Sequence, residues 1–92
     1  MERIHLVIKG RVQGVYYRKS ATAQAIRLRL SGWVRNRNDG TVELVAEGSR
    51  ADLQHLIDWC WTGPRLSRVT EIEVSWLDAT EILVGFVVRP TE

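Results

Sequence analysis

The chain has 92 residues, of which 45% are hydrophobic and 26% charged, so the expectation is one domain, 1–92, with its own core. A lone cysteine, Cys60, excludes an internal disulfide framework, and no Cys and His residues fall at metal-ligand spacing. The net charge of +2 hides a segregation: Arg3, Lys9, Arg11, Arg18, Lys19, Arg27, Arg29, Arg35 and Arg37 occupy an interval without one acidic residue. That pattern suits an anionic partner, and it suits a solvated basic face equally well.

Ile4, Leu6 and Ile8 alternate with Arg3, His5, Val7 and Lys9, the period of a half-buried strand. This apolar run is too short and too interrupted for a leader, and no stretch approaches a membrane span. The expected location is the cytoplasm, with no membrane partner. Gly10-Arg11-Val12-Gln13-Gly14 then reads as a glycine-bounded loop. From about Tyr17 to Leu30 no breaker occurs, and Ala21, Ala25 and Leu28 share one helical face before Ser31-Gly32.

Trp33 to Asn36 predicts a second strand, Asn38-Asp39-Gly40 a hairpin turn, and Thr41 to Glu47 the returning strand. Ser49 is a good N-cap for a helix from Arg50 to about Trp61, with Leu53, Leu56, Ile57 and Cys60 on its apolar stripe and Thr62-Gly63-Pro64 as its stop. Val69 to Trp76 predicts a fourth strand and Leu83 to Val88 a last one, either paired or added at an edge. The order is β-α-β-β-α-β. That is the α+β, ferredoxin-like sandwich, an antiparallel sheet with two helices on one face.

The stretch that carries chemistry is Gly10 to Arg18. A glycine loop between strand and helix turns backbone N–H groups toward an anion, and the first helical turn adds unpaired N–H groups and a partial positive charge. Arg18, in that turn, brings a planar cation that pairs with two phosphate oxygens at once. The candidate phosphate cradle therefore lies within Gly10-Arg11-Val12-Gln13-Gly14-Val15-Tyr16-Tyr17, with Arg18 beside it and no metal required. A tight turn followed by a surface arginine accounts for the same residues. On the second strand Val34 and Asn36 share a face, so a core-facing Val34 aims the Asn36 carboxamide the same way. Asn36 there suits holding a water; a turn-entry asparagine bonded to its own backbone is the plainer account.

Gly10 to Arg18, followed by Gly32-Trp33-Val34-Arg35-Asn36 and Asp39-Gly40-Thr41-Val42, resembles the two signatures of the acylphosphatase family. The resemblance covers nearly the whole chain. It implies a ferredoxin-like fold and a cofactor-free, metal-independent enzyme. The substrate would be a small acyl phosphate, hydrolysed to a carboxylate and inorganic phosphate. By resemblance Arg18 and Asn36 are the catalytic residues: Arg18 holds the phosphoryl group with the amides of Val12 to Arg18, and Asn36 positions the attacking water. Three positions depart from the family pattern: Arg29 stands where a helix-ending glycine is usual, Tyr17 where phenylalanine is frequent, and Ala21 where a threonine is common. An αL helix end would strain Arg29 by roughly 1 kcal/mol, and a buried Tyr17 hydroxyl would need a partner.

His5 and His55 lie on separate elements outside the loop, and Cys60 reads as a packed thiol rather than a nucleophile. Trp59 and Trp61 cannot both face the core, and Trp33 and Trp76 suit covering the sheet. The competing readings are a non-catalytic anion-binding module and an RNA-binding ferredoxin-like sheet. Glu43 and Glu47, expected to face outward from the third strand with Val45, argue against RNA; the resemblance implies a small-molecule partner rather than a nucleic acid, and a monomer is the default expectation.

Overall fold

A computed structural model describes residues 1–79 and 82–92. Among these residues seven elements follow in chain order: β1 (Glu2–Arg11), α1 (Tyr17–Arg27), β2 (Ser31–Asn36), β3 (Val42–Gly48), α2 (Arg50–Thr62), β4 (Arg68–Asp78) and β5 (Phe86–Val88). They form one sheet in the order β4-β1-β3-β2-β5 with both helices against one face. Among the described residues no helix is long and apolar enough to cross a membrane.

The first four strands pair antiparallel, which is the ferredoxin-like core. β5 departs from the all-antiparallel expectation. It joins the edge parallel to β2, with Gly32, Trp33 and Val34 opposite Phe86, Val87 and Val88, and makes the sheet mixed. The reason is directional. β4 and β2 run opposite ways, so a chain that reverses after β4 and reaches the far edge must run along β2.

Alternation sets the faces. Ile4, Leu6 and Ile8 meet Ala46, Leu44 and Val42 on β3 and Trp76, Val74 and Ile72 on β4, under the helices. Ala21, Ala25, Leu53, Leu56, Ile57 and Cys60 close this core from the helical side. Each fully buried aliphatic side chain of this kind stabilises the fold by roughly 1.5–3 kcal/mol. Trp59 packs against the core while Trp61 is exposed.

The outer face is laced with ion pairs. Lys9 reaches Glu71 and Glu73, and Glu43 bridges His5 and Arg35. Glu47 lies on this face as its alternation requires, yet it is 2% exposed. It is covered because Arg3 pairs with it and the Leu83 N–H donates to its Oε2 at 3.2 Å. Trp33 on this face is flanked by the guanidinium groups of Arg35 and Arg89, while on the helical face Arg50 lies 4.2 Å over the Trp76 ring.

Several boundaries move from their expected places for local reasons. β1 runs on to Arg11 because Gly10 and Arg11 still pair with Val69 and Arg68 across a bulge. α1 ends at Arg27 rather than Leu30. There the Arg29 N–H bonds to the Ile26 carbonyl and the Leu30 N–H to the Ala25 carbonyl, a Schellman closure that turns the chain into β2 at Ser31. The last strand begins at Phe86, three residues beyond Leu83.

Candidate active site

The site begins where β1 leaves the sheet. Gly10 has φ +123°, and a Cβ there would lie 2.1 Å from the Arg68 carbonyl oxygen. Only glycine allows β4 to come this close at the loop's entrance. Val12 and Val15 are buried and pin the loop to the core, while Gly14 between them turns at φ +73°. Tyr16 follows at φ +65° and ψ +23°, a left-handed conformation that costs a non-glycine residue roughly 1 kcal/mol. Tyr16 is also the N-cap of α1, and its side chain makes no capping hydrogen bond. The first backbone N–H to bond back is that of Ser20, to the Tyr16 carbonyl. The amides of the first turn therefore lack intrahelical partners, and their dipoles sum to a partial positive charge.

Tyr17 fixes the orientation of that turn. Its ring is buried 5.7 Å from the ring of Trp59, and its hydroxyl donates to the Cys60 carbonyl at 2.7 Å. The hydroxyl thus has the partner its burial demands, and burial pushes its pKa far up, keeping it a donor. With Tyr17 facing inward, Arg18 faces the opening. Among the described residues Arg18 makes no ion pair and no side-chain hydrogen bond. Arg3, Lys9, Arg35 and Arg50, in contrast, all meet carboxylates.

Asn36 ends β2 on the helical face, opposite Val42. Its backbone carbonyl accepts the Glu92 N–H at 3.1 Å, and the Glu92 carbonyl accepts the Asn38 N–H at 3.0 Å. Its side-chain Oδ1 is buried and has no hydrogen-bond partner, alone in this among the buried side-chain oxygens and nitrogens of the described residues. A buried acceptor left unpaired costs roughly 1–3 kcal/mol, so this oxygen is poised for a donor from outside the protein.

A cavity of about 560 Å³ brings these groups together. Of the residues singled out from the sequence, Val12, Gly14, Tyr16, Tyr17, Arg18 and Asn36 line it. Gln13 and Val15 do not: Val15 points into the core, and the Gln13 side chain bonds to the β2–β3 hairpin. Lys19, Thr22 and Val88 line the cavity without having been anticipated. Lys19 follows Arg18 in the basic run and was open to notice. Thr22 lies one turn along the same helix face, its hydroxyl donating to the Arg18 carbonyl at 2.8 Å. Val88 arrives only through the parallel pairing of β5.

Among the described residues the lining holds two cations and no carboxylate. His5 lies on the opposite face of the sheet, 2.7 Å from Glu43, and His55 is exposed on α2. Cys60 is buried beneath Tyr17, and burial pushes its thiol up to about 12, so it is not a nucleophile near neutrality. Among the described residues no three His, Cys, Asp or Glu side chains gather as a metal site.

The cavity thus sets Arg18, Lys19 and the first turn of α1 beside a buried acceptor that has no partner among the described residues. Residues 4–88 match the family model described as Acylphosphatase. The chain is 53% identical over 87 residues to an acylphosphatase of Acidovorax sp. (strain JS42), covering 95% of this chain and 89% of that one. It is 49% identical over 88 residues to an acylphosphatase of Methylococcus capsulatus (strain Bath), covering 96% of each. Among solved structures, the acylphosphatase from Bacillus subtilis superposes with a TM-score of 0.94 at 36% identity, covering 97% of this chain and 99% of that one.

Proposed function

The chain belongs to the acylphosphatase family and is an enzyme of that class acting on acyl phosphates, and from that premise we propose that Arg18 and the loop amides hold the phosphoryl group while Asn36 orients the water that attacks it. The observation that carries this reading is one juxtaposition: the guanidinium of Arg18 and the buried Oδ1 of Asn36, both without partners among the described residues, line the same cavity.

The phosphoryl group enters against the first turn of α1. Arg18 pairs with two of its oxygens, and the uncapped amides after Gly14 take the remaining charge. The adjacent Lys19 raises the local potential for an anion. Asn36 Oδ1 accepts a hydrogen bond from a water and leaves its oxygen lone pair free to face phosphorus. The water oxygen bonds to phosphorus as the bond from phosphorus to the acyl oxygen breaks. An acyl phosphate dianion and water become a carboxylate anion and dihydrogen phosphate, both water protons ending on phosphate. The carboxylate leaves without a proton, so no general acid is needed. Asn36 has no titrating group in the useful range and acts as a positioner, not a base. Charge spread over the equatorial oxygens is met by Arg18 and the amides, which do the work a metal does elsewhere. Carboxylates on the sheet's outer face, at Glu71 and Glu73, disfavour a nucleic-acid backbone there and support a small-molecule substrate.

Hydrolysis of benzoyl phosphate in the presence of chelator tests the reading. Arg18→Ala is expected to raise KM and the inhibition constant of inorganic phosphate together, by about 10- to 100-fold, the worth of one charged hydrogen-bonded group. Asn36→Ala is expected to lower kcat by about 100-fold through lost orientation, with phosphate inhibition unchanged. In ¹⁸O-labelled water the label should enter inorganic phosphate. Unchanged kcat in Asn36→Ala, or label in the carboxylate, would sink the mechanism. A folded wild-type protein with no turnover would leave an anion-binding module instead.

A further inference from the structure

Gln13 belongs to the loop that encloses the cavity, but its side chain turns away from it. Its Nε2 donates to the Arg37 carbonyl at 2.8 Å and to the Thr41 carbonyl at 2.9 Å. A carboxamide nitrogen carries two protons, and both are used here. Arg37 and Thr41 are the residues that close the β2–β3 turn. The Arg37 N–H bonds to the Thr41 carbonyl at 2.9 Å and the Gly40 N–H to the Arg37 carbonyl at 3.1 Å. Each carbonyl therefore takes a Gln13 proton on its second lone pair. Among the described residues no other hydrogen bond joins residues 12–16 to residues 36–41.

Arg37 directly follows Asn36. The Gln13 carboxamide is thus a strut between the loop that presents the anion-binding amides and the strand end that presents the Asn36 acceptor. We propose that Gln13 is a positioning residue of the hydrolytic reaction, setting where Asn36 stands relative to the bound phosphoryl group. The proposal rests on the role given to Asn36 above. Orientation of a water in line with a scissile bond tolerates little displacement, and an error near 1 Å in a reacting group costs on the order of 100-fold in rate. Among the described residues one side chain makes all the hydrogen bonds between this loop and this hairpin, and without it their relative placement is free to drift by such amounts.

A double-mutant cycle reads this role. Gln13→Met keeps the length of the side chain and removes both donors. It is expected to lower kcat about 10- to 100-fold, while the inhibition constant of inorganic phosphate moves less than about threefold, since Arg18 and the loop amides stay in place. In an Asn36→Ala background the same substitution should change kcat by less than about threefold, because a residue that acts through Asn36 has nothing left to position. Equal losses in both backgrounds would overturn the proposal. So would full kcat in folded Gln13→Met, or a joint rise of KM and the phosphate constant at unchanged kcat, which would place Gln13 in phosphate binding. Full kcat in Asn36→Ala alone overturns the Asn36 reading, and is distinguishable from these results.

Gln13→Glu offers a second variant with a pH signature. Its ionised carboxylate would oppose two carbonyl oxygens, whereas the protonated acid has one O–H to donate. Its kcat should therefore rise toward the wild-type value as pH falls through the carboxyl's pKa, and a profile parallel to the wild type's overturns the proposal. In the wild-type protein, nuclear magnetic resonance should find both Gln13 side-chain amide protons slow to exchange. Rapid exchange of both would show that the strut is not formed.

Discussion

The Tyr17 hydroxyl donates a 2.7 Å hydrogen bond to the Cys60 carbonyl and so ties the first turn of α1 to the last turn of α2. The carbonyl needs this donor for a reason written in the sequence. In a continuing helix its partner would be the N–H four residues on, but that residue is Pro64, which has none. Tyr17→Phe keeps the ring against Trp59 and removes only the donor, leaving the buried carbonyl unsatisfied. Unfolding free energy should fall by about 1–2 kcal/mol, read as a lower urea midpoint at unchanged slope. An unchanged midpoint would mean that solvent reaches the Cys60 carbonyl and that the interhelical tie is worth nothing.

Much of this site was open to reading because its parts are local. The glycine loop, the arginine in the following turn and the asparagine before an Asn-Asp-Gly hairpin each declare themselves within a few residues, and alternation along Trp33–Asn36 sets the Asn36 side chain on the helical face. What stayed hidden depends on long-range closure. Val88 lines the cavity only because β5 lies parallel to β2, which no local period encodes. The same holds for Glu47: its alternation gives the correct face, but its burial comes from Arg3 and the Leu83 N–H, remote in sequence. Gln13 shows a third kind of difficulty. Its position in the loop was plain, yet the direction of its side chain was set by the hairpin's carbonyls and not by its neighbours.

Glu43 is the charged hub of the outer face. Its Oε1 accepts from Arg35 Nε at 2.7 Å and its Oε2 lies 2.7 Å from His5 Nε2. Partial burial pushes its carboxyl up, but the hydrogen bonds from His5 and Arg35 outweigh that and hold it below its ordinary value. A carboxyl depressed in the folded state stabilises the fold above its unfolded pKa, about 4.3 for Glu. That contribution is lost as pH falls below this value and through the folded one. Glu43→Gln removes the titration. Its melting temperature should therefore drop less than the wild type's between about pH 5 and pH 3, although it starts lower. Parallel acid profiles for the two proteins would show that Glu43 does not contribute to acid lability.

Arg29 holds the C′ position of α1 at φ +60°, in the left-handed region, with both Schellman hydrogen bonds formed. The arginine side chain gains nothing visible there: among the described residues it makes no ion pair and no side-chain hydrogen bond. An L residue in this conformation is strained by about 1–2 kcal/mol, while glycine adopts it freely. Glycine also loosens the unfolded chain, which takes back about 0.4–1 kcal/mol. Arg29→Gly should therefore stabilise the protein by up to about 1.6 kcal/mol, with kcat and KM unchanged because the position lies outside the cavity. Arg29→Ala serves as the control. It removes the charge and keeps the Cβ, so it should give none of the gain. A rise in stability of the alanine variant equal to that of the glycine variant would trace the effect to charge in the basic first third of the chain, and not to the backbone at the helix end.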